Sequence, residues 1–241
     1  MSSKWDLLRH PRQTWRRLKS LARVGEPRIL IDQELEFLSG LGDSAWVLYG
    51  LVRSLKPDVC VEIGSARGKS ACVVGLALKE NGHGRLYAID PHASTDWNDT
   101  ESVETYDLIR KHLAAVGVQD QVEIVRSYSD QAAAGWKRRI DVLFIDGDHT
   151  YEGVKRDWDL FVPHVPETGV VIFHDTAWSA DEGFQAQSRP DMGVPRFVDE
   201  LRRRGYPVLT LMKDFGVSLV QPCIGGKALY HEAGENETAG A

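Results

Sequence analysis

Residues 141–161, DVLFIDGDHTYEGVKRDWDLF, place Asp146, Asp148 and His149 within four positions at the end of an apolar run. Carboxylates and imidazoles are the side chains that move protons near neutral pH and hold cations. Turn chemistry also accounts for them, because Asp-Gly suits a turn and Asp suits a helix start. The stretch alone leaves both readings open. A second apolar run, GVVIFHD, closes on His174 and Asp175 in the same manner.

A third group lies upstream. CVEIGSARGKS sets Gly64 and Gly68 between a strand pattern and a helix pattern. Glycines there permit a tight turn and a close approach of ligand to backbone. The spacing is neither the dinucleotide fingerprint G-x-G-x-x-G nor the P-loop G-x-x-x-x-G-K-[ST]. Twenty-two residues after Gly68, LYAIDPH ends a strand pattern at Asp90. An acid at that strand end can accept the hydroxyls of a ribose. Together, a glycine turn and an acidic strand end on consecutive strands predict a nucleoside cofactor. The lack of a pyrophosphate loop favours S-adenosylmethionine over a dinucleotide.

The elements that must carry these groups alternate. Strand patterns DVCVEIG, GRLYAID, QVEIVRS, DVLFIDG and GVVIFHD are separated by helix patterns KSACVVGLALKEN, SVETYDLIRKHLAAVG, DQAAAGWKR and YEGVKRDWDLFVPHV. The helix DSAWVLYGLVRSL precedes them, with Asp43 or Ser44 as its expected cap. Such alternation predicts an α/β, doubly wound, mostly parallel sheet with helices on both faces. Ligands of such sheets bind beyond the C-terminal strand ends. After the helix VPRFVDELRRRG, the strands PVLTLMKD and GVSLVQP have only Phe215 between them, so this edge must contain an antiparallel strand.

The 241 residues, 42% hydrophobic, suffice for one sizeable α/β domain, placed at 29–222 between a basic arm (1–28) and a polar tail (223–241). No run reaches the length of a membrane span, and the N-terminus lacks the apolar region of a secretory signal. Cys60, Cys72 and Cys223 have no metal spacing and fit a reducing, cytoplasmic setting. The arm holds eight Lys/Arg against two Asp/Glu, a balance of +6; with −6 overall, the remainder carries −12. An acidic body argues against nucleic-acid binding.

VEIGSARGKS, LYAID and the final strand pair resemble class I S-adenosylmethionine-dependent methyltransferases over roughly residues 40 to 220. The resemblance implies a Rossmann-like fold with a seven-stranded sheet and an antiparallel edge strand. It implies a cofactor pocket of Glu62, Gly64, Ser65, Gly68, Ser70, Asp90, Ser127 and Asp146. Within it Glu62 and Gly64 serve the methionine end, Asp90 the ribose, and Ser127, in RSYSDQ, the adenine. FIDGDHTYEGVKRDWDLFVPHVPETGVVIFHD resembles a bacterial subgroup that includes macrocin-type sugar O-methyltransferases and cephalosporin-hydroxylase-like proteins, and more distantly catechol O-methyltransferases. By that resemblance Asp146, His174 and Asp175 hold a divalent cation.

Strand geometry is consistent with this. Asp146 and Asp175 end adjacent parallel strands 29 residues apart, and such strands lie about 4.8 Å apart. Both carboxylates can therefore converge on one ion, Mg or Mn, with Mn the better match if His174 ligates. A bound ion would lower the pKa of an acceptor hydroxyl. His149, three residues after Asp146, stands where catechol-type enzymes carry a lysine base; the alternatives are a helix cap or a bond to Tyr151. Asp148 reads as a helix-start residue, and His174 is either a ligand or a base. TAWSADEGFQAQSRPDMG (176–193) reads as a substrate lid or a surface loop, and STDWNDTES (94–102) as the opposite wall.

The expected activity is O-methylation of a hydroxyl on a sugar or secondary metabolite, a glycoside or lipid-linked sugar among them. The alternatives are an N-methylating or hydroxylase-associated relative and a cofactor-binding accessory protein. The basic arm, with Trp5 and Trp15, predicts either an oligomer contact, making the chain a homo-oligomer, or peripheral contact with an anionic membrane. Deleting residues 1–28 should alter either the oligomeric state, read by light scattering, or liposome sedimentation. A truncated chain that matches the full one in both measurements leaves the arm with neither role.

Overall fold

Short runs rich in Val and Ile, punctuated by Gly, Asp and Pro, form the strands β1 (Val59–Ile63), β2 (Arg85–Ile89), β3 (Val122–Val125), β4 (Val142–Ile145) and β5 (Val170–His174). They are followed by β6 (Val208–Leu211) and β7 (Val217–Val220). The structure is a computed structural model. It describes residues 27, 30–35, 37, 39–93, 105–178, 190–224 and 227–228. The proposed wall 94–102, residues 179–189 of the proposed lid, most of the arm and most of the tail lie outside the described residues.

The sheet runs in the order β3-β2-β1-β4-β5-β7-β6. The first five strands pair in parallel. β7 pairs antiparallel with both β5 and β6, so the antiparallel strand at this edge lies one place in, with β6 outermost. A short antiparallel pairing of β8 (Cys223–Ile224) with β9 (Lys227–Ala228) occurs where the sequence suggested only a polar tail.

Helices α1 (Ala45–Leu55), α2 (Lys69–Asn81) and α3 (Thr105–Val116) pack on one face, over Cys60, Leu86, Ala88, Val142, Phe144 and Ile172. A shorter α4 (Ser129–Ala134) stops at Gly135. Helices α5 (Tyr151–Phe161) and α6 (Val194–Arg203) cover the other face, over Val61, Ile63, Leu143, Ile145, Val171 and Phe173. Alternate strand residues thus serve opposite cores, as a pleated strand buried on both faces requires. Cys60 and Cys72 are buried free thiols. Among the described residues no helix is long and apolar enough to cross a membrane.

One expected cap is replaced. A 3-10 turn, Gly42–Ser44, leads into α1, and neither Asp43 nor Ser44 caps it with a side chain. The Ser44 N–H instead donates to Asp214 Oδ2 at 2.8 Å, while Asp43 pairs with Lys213. The acceptor for the helix start comes from the β6–β7 tip.

The register sets the site. Ile63 pairs with both Ile89 and Ile145, and Ile145 with Phe173. One residue further on, Gly64, Asp90, Asp146 and His174 therefore stand in a row at the C-terminal ends of four neighbouring strands.

Trp158 of α5 is 1% exposed and sits among Phe173 (stacked, 5.8 Å), Phe197 and Tyr206. Trp158→Ala should cost about 3–5 kcal/mol through lost burial and the cavity left behind. The drop should appear as a lower urea midpoint with an unchanged slope.

Candidate active site

The loop between β1 and α2 depends on two left-handed glycines. Gly64 has φ +88°, and a Cβ there would run into the Asp146 carbonyl. Gly68, with φ +85°, begins α2 beside Ile109. The turn is closed by Gly68 N–H donating to Ser65 O at 2.7 Å. Asp90 faces the same loop: its Oδ2 accepts from Ala66 N–H at 2.8 Å and its Oδ1 from His92 N–H at 2.6 Å. Asp90 thus shapes the pocket as well as facing it.

Glu62 lies under this loop, 1% exposed. Its Oε1 accepts from Ser70 Oγ, whereas its Oε2 and the Ser65 Oγ are buried without partners among the described residues. Burial pushes the Glu62 carboxyl up to about 8, and the Ser70 hydrogen bond only partly opposes this. Buried polar atoms left unpaired beside a glycine turn fit a pocket that a polar ligand completes. Ser127 is half-buried; its Oγ donates to Tyr128 O, and its N–H donates to Asp90 O at 3.2 Å. Glu62, Gly64, Ser65, Gly68, Ser70, Asp90 and Ser127 therefore lie together at one end of the sheet.

Beside this pocket two carboxylates and two imidazoles alternate. His149 Nε2 lies 3.3 Å from Asp146 Oδ1 and 3.1 Å from Asp175 Oδ2. His174 Nδ1 lies 3.1 Å from Asp146 Oδ1 and 3.4 Å from Asp175 Oδ1. The ligand atoms of Asp146, His149 and Asp175 all fall within 4.8 Å of one another, as a shared cation requires. Two carboxylate oxygens and one imidazole nitrogen form a donor set suited to Mn or a similar divalent ion.

His149 does not cap α5. The cap is Thr150, whose side chain accepts from Gly153 N–H at 3.0 Å, and His149 enters the carboxylate cluster. His174, expected as a ligand, is 4% exposed and has both ring nitrogens engaged. Its Nε2 donates to the Asp214 carbonyl at 2.9 Å, a residue the sequence offered no reason to select. Asp148 accepts from the Thr150 N–H and hydroxyl, so it is a helix-start residue.

The charges explain one another. Burial alone would raise Asp146, but His174 and His149 outweigh it and hold the carboxyl down at about 2. Burial opposes the charged form of His174, yet Asp146 and then Asp175 carry it up to about 9. His149 is raised as well, against burial, by the same two carboxylates. Burial raises Asp175, opposed by both imidazoles. Asp175 also holds a left-handed backbone, φ +57°, unusual for a residue with a side chain. Such conformations concentrate at functional sites.

Residues 61–176 match the family model described as a methyltransferase domain. A stretch of 143 residues is 27% identical to the uncharacterized protein y4gI of Sinorhizobium fredii, covering 55% of this chain but only 15% of that protein. The SAH-bound methyltransferase PaMTH1 of Podospora anserina matches with a TM-score of 0.62 at 14% identity, over 87% of this chain and 95% of that one. The O-methyltransferase TomG of Streptomyces achromogenes, involved in tomaymycin synthesis and solved with SAM, matches with a TM-score of 0.55 at 18% identity, over 83% and 88%. At these identities the two structural likenesses are likenesses of fold.

His174 gains its proton affinity on folding, so its stabilisation is complete below its ordinary value of 6.5 and is lost as pH rises through about 9. Urea midpoints of the metal-free protein should therefore fall between pH 6.5 and 9. His174→Gln should flatten that fall; an equal slope in both proteins assigns it elsewhere.

Proposed function

We propose that this chain is a class I S-adenosylmethionine-dependent methyltransferase and, within that class, a metal-assisted O-methyltransferase acting on a hydroxyl of a sugar or secondary-metabolite acceptor. The observation that carries this reading is the cluster of Asp146, His149 and Asp175 abutting the cofactor loop at Gly64. An amine acceptor needs no such cluster to become nucleophilic, whereas a hydroxyl gains from one. The O-methyltransferase TomG, which shares the fold, supports the same direction.

The residues divide the work. The Gly64–Gly68 loop and Asp90 would hold the cofactor, with the unpaired Glu62 Oε2 and Ser65 Oγ available to its polar end. Asp146, His149 and Asp175 would hold the divalent ion, which when bound makes an acceptor hydroxyl easier to deprotonate. His174 would keep Asp146 aimed from behind, through the 3.1 Å contact of its Nδ1. The close approach of Gly64 to the Asp146 backbone keeps the two subsites adjoining, so positioning supplies much of the acceleration. Binding the ion displaces the proton that His149 shares with the carboxylates, so metal affinity should rise with pH.

The test combines metal binding with turnover on a panel of hydroxylated acceptors. Chelator should abolish methyl transfer, and Asp146→Ala should do the same while leaving cofactor binding nearly intact. Asp90→Ala should weaken the cofactor by about 1–3 kcal/mol. His149→Ala should lower Mn affinity; intact affinity with a slower kcat would return His149 to the role of base. Chelator-resistant turnover would sink the metal role altogether.

A further inference from the structure

We infer that Asp214 is a positioning residue for the cation site: its carboxylate pins the β6–β7 tip to residues 42–44, and the pinned tip presents the carbonyl that aims His174, and through it Asp146. This rests on the reading of that site given above.

The tip is held in a conformation that its own residues resist. Asp214 (φ +52°), Phe215 (φ +62°) and Gly216 (φ +91°) are successive left-handed residues, and two of them carry side chains. Such a run persists only where its surroundings over-determine it. On one side Ser44 N–H donates to Asp214 Oδ2 at 2.8 Å and Ser44 Oγ donates to Lys213 O at 3.3 Å. On the other, Ala177 N–H donates to Phe215 O at 2.7 Å, and Trp178 stacks on Phe215 at 4.6 Å. Asp214 is the residue that serves both ends, with its carboxylate on the helix start and its carbonyl on His174 at 2.9 Å.

That carbonyl can only accept, so His174 Nε2 carries the hydrogen of this bond. Nδ1 is then left facing Asp146 Oδ1 at 3.1 Å and Asp175 Oδ1 at 3.4 Å. Outer partners of this kind orient the groups that hold a metal, and their loss typically costs about 10–100-fold in metal affinity. His174 is 4% exposed, so water has little room to replace a displaced carbonyl. Asp214 itself lies outside the cation group and outside the cofactor loop.

The experiment compares the full chain with Asp214→Ala, Asp214→Gly and Asp214→Asn. Asn retains an oxygen for Ser44 N–H and tolerates a left-handed backbone. Gly relieves the backbone but removes the pin, and it covers the case in which the Ala variant fails to fold. Mn(II) affinity is read by electron paramagnetic resonance, S-adenosylhomocysteine affinity by calorimetry, and folding by circular dichroism. The inference expects the Ala and Gly variants to lose at least about tenfold in Mn affinity. Cofactor-product affinity should hold in both, and Asn should stay near wild type. Equal Mn affinity in all four proteins overturns the inference and leaves the metal reading standing. A parallel loss of both ligands, or an Asn variant as weak as Ala, reduces Asp214 to a stability role and also overturns it. A wild-type chain that binds no Mn removes the metal reading itself, and the inference with it.

Discussion

Everything at the active end depends on the register in which β1, β2, β4 and β5 pair. Ile63, Ile89, Ile145 and Phe173 lie level, so the next residue on each strand reaches the same height. A shift of one residue in β4 or β5 would turn Asp146 or His174 to the opposite face of the sheet. The alternating apolar residues that fill two separate cores prevent that shift, because each strand has one set of side chains for α1–α3 and another for α5 and α6. Core packing is therefore what gives the site its precision.

The same row also creates an electrostatic problem. Asp146, half-buried, and Asp175, buried, bring two carboxylates together where unpaired charge is costly. His149 and His174 balance them, and each imidazole touches both carboxylates. The two histidines differ in consequence. His174 is sealed between Asp146 and the Asp214 carbonyl, whereas the His149 side chain is 19% exposed and faces the more open side. One ring is built into the wall, and the other can respond to what enters.

Local signals predicted much of this. Helix α2 spans the residues its pattern indicated, since Gly68 and Gly82 punctuate both ends with left-handed backbone. Asp90, Asp146 and Asp175 could be read as strand-end acids because each follows a run of β-forming residues. What could not be read was decided at long range. The cap of α1 looked like a task for Asp43 or Ser44, but a carboxylate from the β6–β7 turn performs it. The setting of the His174 ring turns on a backbone carbonyl, and no residue type advertises where a carbonyl will point. Asp214 was hidden for the same reason.

The bond between Ser44 and Asp214 spans 170 positions of sequence. During synthesis the chain emerges from its N-terminal side, so α1 leaves the ribosome long before its acceptor has been made. Until the β6–β7 hairpin arrives, the start of α1 lacks this partner and the ring of His174 lacks its carbonyl. Strands β6 and β7 thus act as a clasp: closing the main sheet and aligning the cluster at its end become a single late event. A ribosome stalled before residue 214 would hold a nascent chain with most of its sheet residues already made and its reactive end still unaligned.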